Sequence, residues 1–272
     1  MVAPHWQGRR VLVTGCAGFL GGAVSRALLD RGAHVVGLVH QSPTDLPRHR
    51  APGRFEVTRG RAEDTFRIYS ALAVHDIQAV FHLASGPVFA TDRVAGAVVE
   101  ATHRFNPTIP VVVAHPADGL QLAQRNPPVP LGVVRFGEVF GPGDRKPFRV
   151  VPATISAIVD GGQPRTTGDG SPRDFVFLDD AARACLALGE SLSLEPHLRD
   201  ETFRSGWSLT DRQMATAVRD VAEGRPALLL AAKPQPNPLD WQPSRSFADA
   251  VRETIAWYRG AEPAPAEVRR AA

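Results

Sequence analysis

The sequence predicts an α/β fold: a doubly wound parallel sheet continued by a smaller, loop-rich C-terminal lobe. Three observations carry that expectation. Short, almost wholly apolar β-branched runs alternate with amphipathic stretches through the first half of the chain. A glycine triplet, Gly15, Gly18 and Gly21, follows the first apolar run and opens the first amphipathic stretch. After Gly141 the texture changes to turns rich in glycine, proline and aspartate, set between helical patterns.

Residues 10–14, 34–39, 54–58, 79–83, 109–114 and 131–135 read as strands. Strands apolar on both faces belong to a sheet covered on both sides. Residues 20–31, 62–74, 92–104 and 119–124 read as the helices between them. Such alternation calls for parallel pairing through right-handed crossovers. Beyond Gly141, GPGD and GGQPRTTGDGSPRD read as loops and turns. Helices are expected at 151–160, 179–190, 210–223 and 246–259, with Asp179 and Thr210 as N-caps. The expected division is a domain over 1–140, a lobe over 141–260 interleaved with the sheet edge, and an Ala-, Pro- and Glu-rich tail over 261–272 that frays.

Composition narrows the classes of function. Apolar residues make up 43% of the 272, which argues for a packed globular chain. No apolar run approaches the roughly 20 residues of a membrane span. The N-terminus lacks the apolar core of a secretion signal. Cys16 and Cys185 are the two cysteines, too few for a disulfide framework or a cysteine-built zinc site. A cytoplasmic location and no membrane partner are therefore expected. The formal net charge is +3 and the basic residues are scattered, so no nucleic-acid partner is expected. The nine histidines show no spacing with carboxylates that would hold a metal. Lys146 and Lys233 are the only lysines among 31 basic residues, which leaves 29 arginines. Tyrosine is equally scarce, at Tyr69 and Tyr258.

The glycine triplet has a mechanical reading. Gly15 makes the tight turn, Gly18 lets backbone approach a pyrophosphate, and Gly21 allows close contact between helix and strand. The helix N-terminus then meets the negative charge. A Rossmann-like dinucleotide-binding domain follows, or a descendant that keeps the turn without the cofactor. The second strand should end in the group that reads the adenosine ribose, where a carboxylate favours NAD. The chain offers His40, Gln41 and Ser42 there. With Arg48 near His40, NADP is slightly favoured over NAD if a dinucleotide is held at all.

These motifs resemble those of the extended short-chain dehydrogenase/reductase family, the nucleotide-sugar epimerases and 4,6-dehydratases. TGCAGFLG, with Gly15, Ala17, Gly18, Phe19, Leu20 and Gly21, is similar to the family's cofactor turn. FHLAS, with Leu83 and Ala84, resembles its fourth-strand motif beside the nicotinamide ribose, and His82 follows that pattern as a structural residue. RFGEVFGPGD resembles the segment that opens the substrate lobe, and GDGSPRDFVFLDDAARA resembles the lobe itself. DWQPSRSFADAVRETIAWYRG is similar to the closing helix. The likeness spans nearly the whole chain. It implies cofactor contacts also at His40, Arg61 and Ala62, and phosphate-gripping roles for Arg149 and Arg173 in substrate binding. Asp174 and Asp179 are read as fixing the loop and capping the helix.

The departures from the family bear on mechanism. The family uses a Tyr-x-x-x-Lys pair, with a Ser or Thr from the preceding strand. Four residues after Tyr69 stands Ala73, and four after Tyr258 stands Glu262. Between Pro110 and Arg135 the chain is short, and most of the helix that would carry the pair is missing. His115 and Pro116 stand where the family shows Ser or Thr, Arg61 where an adenine-contacting aspartate is usual, and Glu138 where the substrate segment has asparagine. General acid/base catalysis is worth about 10²–10⁴-fold, and an unperturbed phenol titrates near about 10. The family's usual oxidation of a sugar hydroxyl should be nearly absent without the pair.

Three residues are candidates to replace it. His115 should sit at the C-terminal end of the fifth strand, where open α/β sheets place ligands, with Asp118 to orient it, or else is a surface histidine in a shortened loop. Glu138 would serve as a base in the substrate cleft, or else pair with an arginine. The expected function is an atypical NAD(P)-dependent epimerase/dehydratase-type enzyme, a lyase or isomerase included. Its substrate would be a small molecule, a nucleotide sugar or a natural-product intermediate. The alternative is a non-catalytic dinucleotide- or ligand-binding pseudoenzyme that partners an active relative. The resemblance also implies a homodimer through a four-helix bundle, which the shortened helix puts in question.

Overall fold

The computed structural model describes residues 5–40, 54–84, 88–114, 127–162, 170–227 and 236–260. In chain order the elements are β1 (Arg10–Thr14), α1 (Phe19–Asp30), β2 (His34–Val39), β3 (Phe55–Arg59), α2 (Thr65–Val74), β4 (Ala79–His82), α3 (Val88–Phe105), β5 (Val111–Ala114), β6 (Leu131–Arg135) and β7 (Glu138–Phe140). There follow α4 (Val150–Val159), β8 (Arg173–Phe177), α5 (Leu178–Leu194), β9 (Arg199–Thr202), β10 (Ser208–Leu209), α6 (Asp211–Ala222), a 3₁₀ turn (Pro238–Asp240) and α7 (Phe247–Tyr258).

The chain divides into two compact units. The first comprises Met1–Gly137, Leu178–Arg204 and Gln235–Gln242, and the second comprises Glu138–Phe177, Ser205–Pro234 and Pro243–Ala272. The expected boundary at 141 meets the first crossing at Glu138, but the chain then returns twice to the first unit. Local sequence does not reveal such returns, because they are set by which strand joins which sheet.

The first unit is built on a seven-stranded sheet in the order β3-β2-β1-β4-β5-β6-β9, with every neighbouring pair parallel. The order reverses between β1 and β4, which makes their carboxyl ends the switch point where open α/β sheets bind ligands. Alternate strand residues face alternate layers. Leu12, Leu38, Val80, Val111, Val113, Leu131 and Val133 share one core with Ile68 and Leu72 of α2 and Val98 of α3. Each such side chain taken fully from water contributes about 1.5–3 kcal/mol. Phe81, one residue out of phase with Val80, lies toward α5, whose Gly189 leaves room for Phe81 and Trp6. A Cβ on Gly189 would come within 3.0 Å of Phe81.

The second unit holds a three-stranded sheet, β10-β8-β7, with β7 parallel and β10 antiparallel to β8. Helices α4, α6 and α7 pack on one another around Phe140, Phe175, Phe177, Met214, Val218 and Phe247. The Trp207 ring stands edge-on to Phe247 at 5.3 Å.

Elements of the first half match the sequence pattern to within a few residues at their ends. The second half corrects it. The stretch read as loop ends inside β8, at Asp174, and β7, β9 and β10 are further strands beyond the sequence pattern. RDFVF is strand-forming, but its Gly, Pro and Asp neighbours outweigh so short an apolar run. Asp179 is not an N-cap. α5 begins at Leu178, directly after β8, and Asp179 and Asp180 lie in its first turn, where the helix dipole favours carboxylates. The expected helix over 119–124 and the tail over 261–272 lie outside the described residues.

Candidate functional site

The turn after β1 is shaped by what cannot fit there. Gly15 has φ +71°, and a Cβ on it would stand 2.6 Å from the Ala84 amide nitrogen. Only glycine meets both conditions. Gly15 is thereby pressed against the chain just beyond β4, at Leu83 and Ala84. The Leu83 N–H donates to the Thr14 carbonyl at 3.2 Å, which joins the two strand ends at the switch point. A Cβ on Gly21 would lie 2.0 Å from the Gly15 carbonyl oxygen, so the first turn of α1 rests directly on the loop. Gly18 caps α1 in extended conformation and its N–H donates to the Gly15 carbonyl at 2.8 Å. Ala17 and Gly18 are exposed, and Phe19 and Leu20 are half-buried. The helix N-terminus thus carries open backbone donors, as anion binding requires.

Beneath the turn lies Cys16, which sequence reasoning did not assign. Its thiol is buried and pushed up to about 11 by desolvation, which makes it inert. Gly37 in β2 makes room for it, since a Cβ there would come within 2.6 Å of the Cys16 sulfur. A glycine inside a strand signals such a close approach.

At the end of β4, His82 is buried and shares a 2.7 Å hydrogen bond between Nδ1 and the Thr14 hydroxyl. Burial pushes its pKa down to about 4, so the ring is neutral at ordinary pH. Its Nε2 is buried and has no hydrogen-bond partner among the described residues. Around the ends of β2 and β3, His40 is exposed, Arg61 pairs with Glu63 at 3.2 Å, and Ala62 packs on the core edge.

The second unit brings the other candidates together. Glu138 opens β7 and stands 3.3 Å from the Arg149 Nε and 3.3 Å from an Arg173 Nη. Arg149 also donates to Asp144 at 2.7 Å, and Arg173 pairs with Asp211. Asp144 is buried, and desolvation raises its pKa against the opposing pull of Arg149. The Tyr258 hydroxyl donates to the Asp144 carbonyl, and burial with the adjacent Asp144 charge pushes the phenol up to about 12. Sequence reasoning did not foresee Asp144 and Asp211 here, because their meeting depends on the pairing of β7 with β8. Asp174 accepts from the Ser205 and Gly206 N–H groups at 2.9 Å each, so it does hold a loop.

Tyr69 lies on α2, edge-on to Phe105 at 5.9 Å. His115 and Asp118 lie outside the described residues. Among the described residues no cluster of three or more His, Cys, Asp or Glu would hold a metal. No described helix is long and apolar enough to cross a membrane.

Comparison with known proteins agrees with this architecture. The profile of the NAD dependent epimerase/dehydratase family matches residues 11–112 and 119–199. The chain is 25% identical over 324 residues to dTDP-4-dehydro-6-deoxy-D-allose reductase of Streptomyces bikiniensis, covering 95% of this chain and 99% of the relative. Among solved structures, the Bordetella bronchiseptica enzyme WbmF in complex with NADH superposes with a TM-score of 0.74 at 19% identity, covering 95% of this chain and 94% of that one. dTDP-glucose 4,6-dehydratase of Bacillus anthracis in complex with NAD superposes at 0.73 and 15% identity, covering 93% and 97%. The two structural matches speak for the fold alone. With the family profile covering most of its length, the chain belongs to the NAD dependent epimerase/dehydratase family.

Proposed function

We propose that the protein holds NAD(H) or NADP(H) at the glycine turn and acts on a small molecule without a Tyr/Lys pair. The observation that carries this reading is the turn itself. Its three glycines leave no room for a Cβ at Gly15 and Gly21, yet present Gly18 and the α1 donors to solvent. Such a cradle suits a pyrophosphate, and keeping it costs stability, because glycines lose more conformational freedom on folding than other residues. The absence of a carboxylate at His40 keeps NADP slightly ahead of NAD.

A bound nicotinamide supplies hydride exchange; the chain must supply the proton handling. Neither tyrosine is suited to it. Tyr258 is engaged with Asp144 and shifted up to about 12, away from working pH. Tyr69 has no lysine four residues on. Both carboxylate oxygens of Glu138 are already paired with guanidiniums. We assign proton transfer to His115, which follows β5 directly in the chain, with Asp118 orienting it. The substrate is a small molecule, a nucleotide sugar or a natural-product intermediate.

Heating purified protein and testing the extract for NAD(H) and NADP(H) checks the first half of the proposal. Gly18→Ala should weaken dinucleotide binding by tenfold or more without unfolding, because a Cβ there meets only the Gly15 carbonyl at 3.1 Å. Absence of any dinucleotide, with no thermal shift on adding one, would refute it. For the second half, His115→Ala should abolish nicotinamide absorbance changes with substrate while leaving dinucleotide affinity unchanged.

A second reading is favoured by the pairing of Glu138 and the engagement of Tyr258, which leave neither group free. On it the chain is a dinucleotide-binding pseudoenzyme that partners an active relative. Its signature is retained dinucleotide, no turnover in the wild-type chain, and co-purification with a catalytic family member.

A further inference from the structure

We infer that Glu138 closes the second unit to nucleoside diphosphates, so that the substrate carries no diphosphate handle there. The inference rests on the proposal that this lobe holds the substrate, and it narrows the substrate class.

Five charged side chains form one alternating string: Asp144, Arg149, Glu138, Arg173, Asp211. Each guanidinium has a carboxylate on either side, and Glu138 is the one shared by both. Its two oxygens stand 3.3 Å from Arg149 and 3.3 Å from Arg173. Arginine forks bind phosphate oxygens in the same bridging manner. Glu138 therefore occupies, from within the chain, the place an incoming phosphate would take on these two residues.

The charge balance points the same way. Three carboxylates answer two guanidiniums, and the Lys146 ammonium, which also acts on Asp144, brings the balance only to neutral. These six side chains together therefore offer a diphosphate no net positive charge. Displacing Glu138 would leave its carboxylate, only 14% exposed, without either partner. Unpairing a largely buried charge is strongly unfavourable.

The string is built into the sheet. Glu138 lies opposite Phe175 in the parallel pairing of β7 with β8, and Arg173 precedes Phe175 by two residues. All three therefore stand on one face, at the start of two paired strands. Arg149 caps α4 and Asp211 opens α6, so the remaining members come from helix ends that pack around the same core. A handle that suits such a neutral, internally paired surface is uncharged, a hydroxyl-bearing sugar or polyol.

The test is calorimetric titration of UDP into the full chain, comparing wild type, Glu138→Gln, Arg173→Ala and the double variant Glu138→Gln/Arg173→Ala. Glu138→Gln keeps the side-chain shape and leaves Arg149 with Asp144 and Arg173 with Asp211, so folding should survive. Wild type should show no saturable binding up to about 1 mM. Glu138→Gln should bind at least about tenfold more tightly, and the double variant should lose that gain. The inference is overturned if wild type binds UDP as tightly as Glu138→Gln and Arg173→Ala alone removes that binding. It is equally overturned if folded Glu138→Gln gains nothing. Should Glu138→Gln fail to fold, Glu138→Asn takes its place, and the wild-type titrations with and without Arg173→Ala still decide. NADH binding, followed in parallel by fluorescence, separates the two proposals. NADH failing to bind any variant would remove the functional reading, while UDP binding at Arg173 in wild type would remove this inference alone.

Discussion

At the residue scale, His82 shows how burial turns a titratable group into a pH sensor of stability. Its ring bonds to the Thr14 hydroxyl at 2.7 Å between two core strands and is held near pKa 4 by desolvation, against 6.5 in an unfolded chain. Between those values the unfolded state takes up a proton that the folded state refuses. Stability is therefore complete above about pH 6.5 and declines as pH falls toward 4, by about 3 kcal/mol from this group. Denaturant titrations at several pH values check this, with His82→Gln as the control that should lose the extra slope. Equal slopes in the two proteins would contradict it. Gly21 makes a different demand. A Cβ 2.0 Å from the Gly15 carbonyl cannot be absorbed by a side-chain rotation, so Gly21→Ala should lower stability by about 1–3 kcal/mol in urea unfolding.

At the scale of elements, α6 owes its start to a complete capping box. The Thr210 hydroxyl accepts from the Gln213 N–H at 3.2 Å, and the Gln213 side chain accepts from the Thr210 N–H at 2.9 Å. Thr210→Ala should cost about 1 kcal/mol, read from the shift in denaturation midpoint, and should loosen Asp211, the next residue and the end of the charged string. This start was legible because the pattern T-x-x-Q before an apolar stripe is local. β8 was not, because Arg173–Phe177 becomes a strand only through pairing with β7 on one side and β10 on the other. For the same reason the sequence singled out Glu138, Arg149 and Arg173 separately but did not show them joined.

For the whole molecule, the parallel sheet with its switch point between β1 and β4 sets the consequence of ligand binding. A ligand that binds only the folded chain stabilises it by about 2.7 kcal/mol at a hundredfold excess over its dissociation constant. For a chain of this size that corresponds to a rise in melting temperature of roughly 5–10 °C. Thermal melts with NADH and with NADPH should show that rise, larger for NADPH. Gly18→Ala, by weakening binding tenfold or more, should cut that rise by about half or more. No rise with either dinucleotide would count against the proposed cofactor.

The sequence by itself determined the strand–helix alternation, the glycine turn and the family. Each of these is written in neighbouring residues, through the period of apolar side chains and the backbone conformations that only glycine adopts. It also determined the lack of a Tyr-x-x-x-Lys pair, since two tyrosines and two lysines leave no such spacing. Only the tertiary structure decided that Glu138 is bound by two arginines, that Tyr258 is spent on the Asp144 carbonyl, and that the second unit has its own sheet. Those facts join residues up to 114 positions apart, and a charge or phenol takes its chemistry from whatever partner the fold brings beside it.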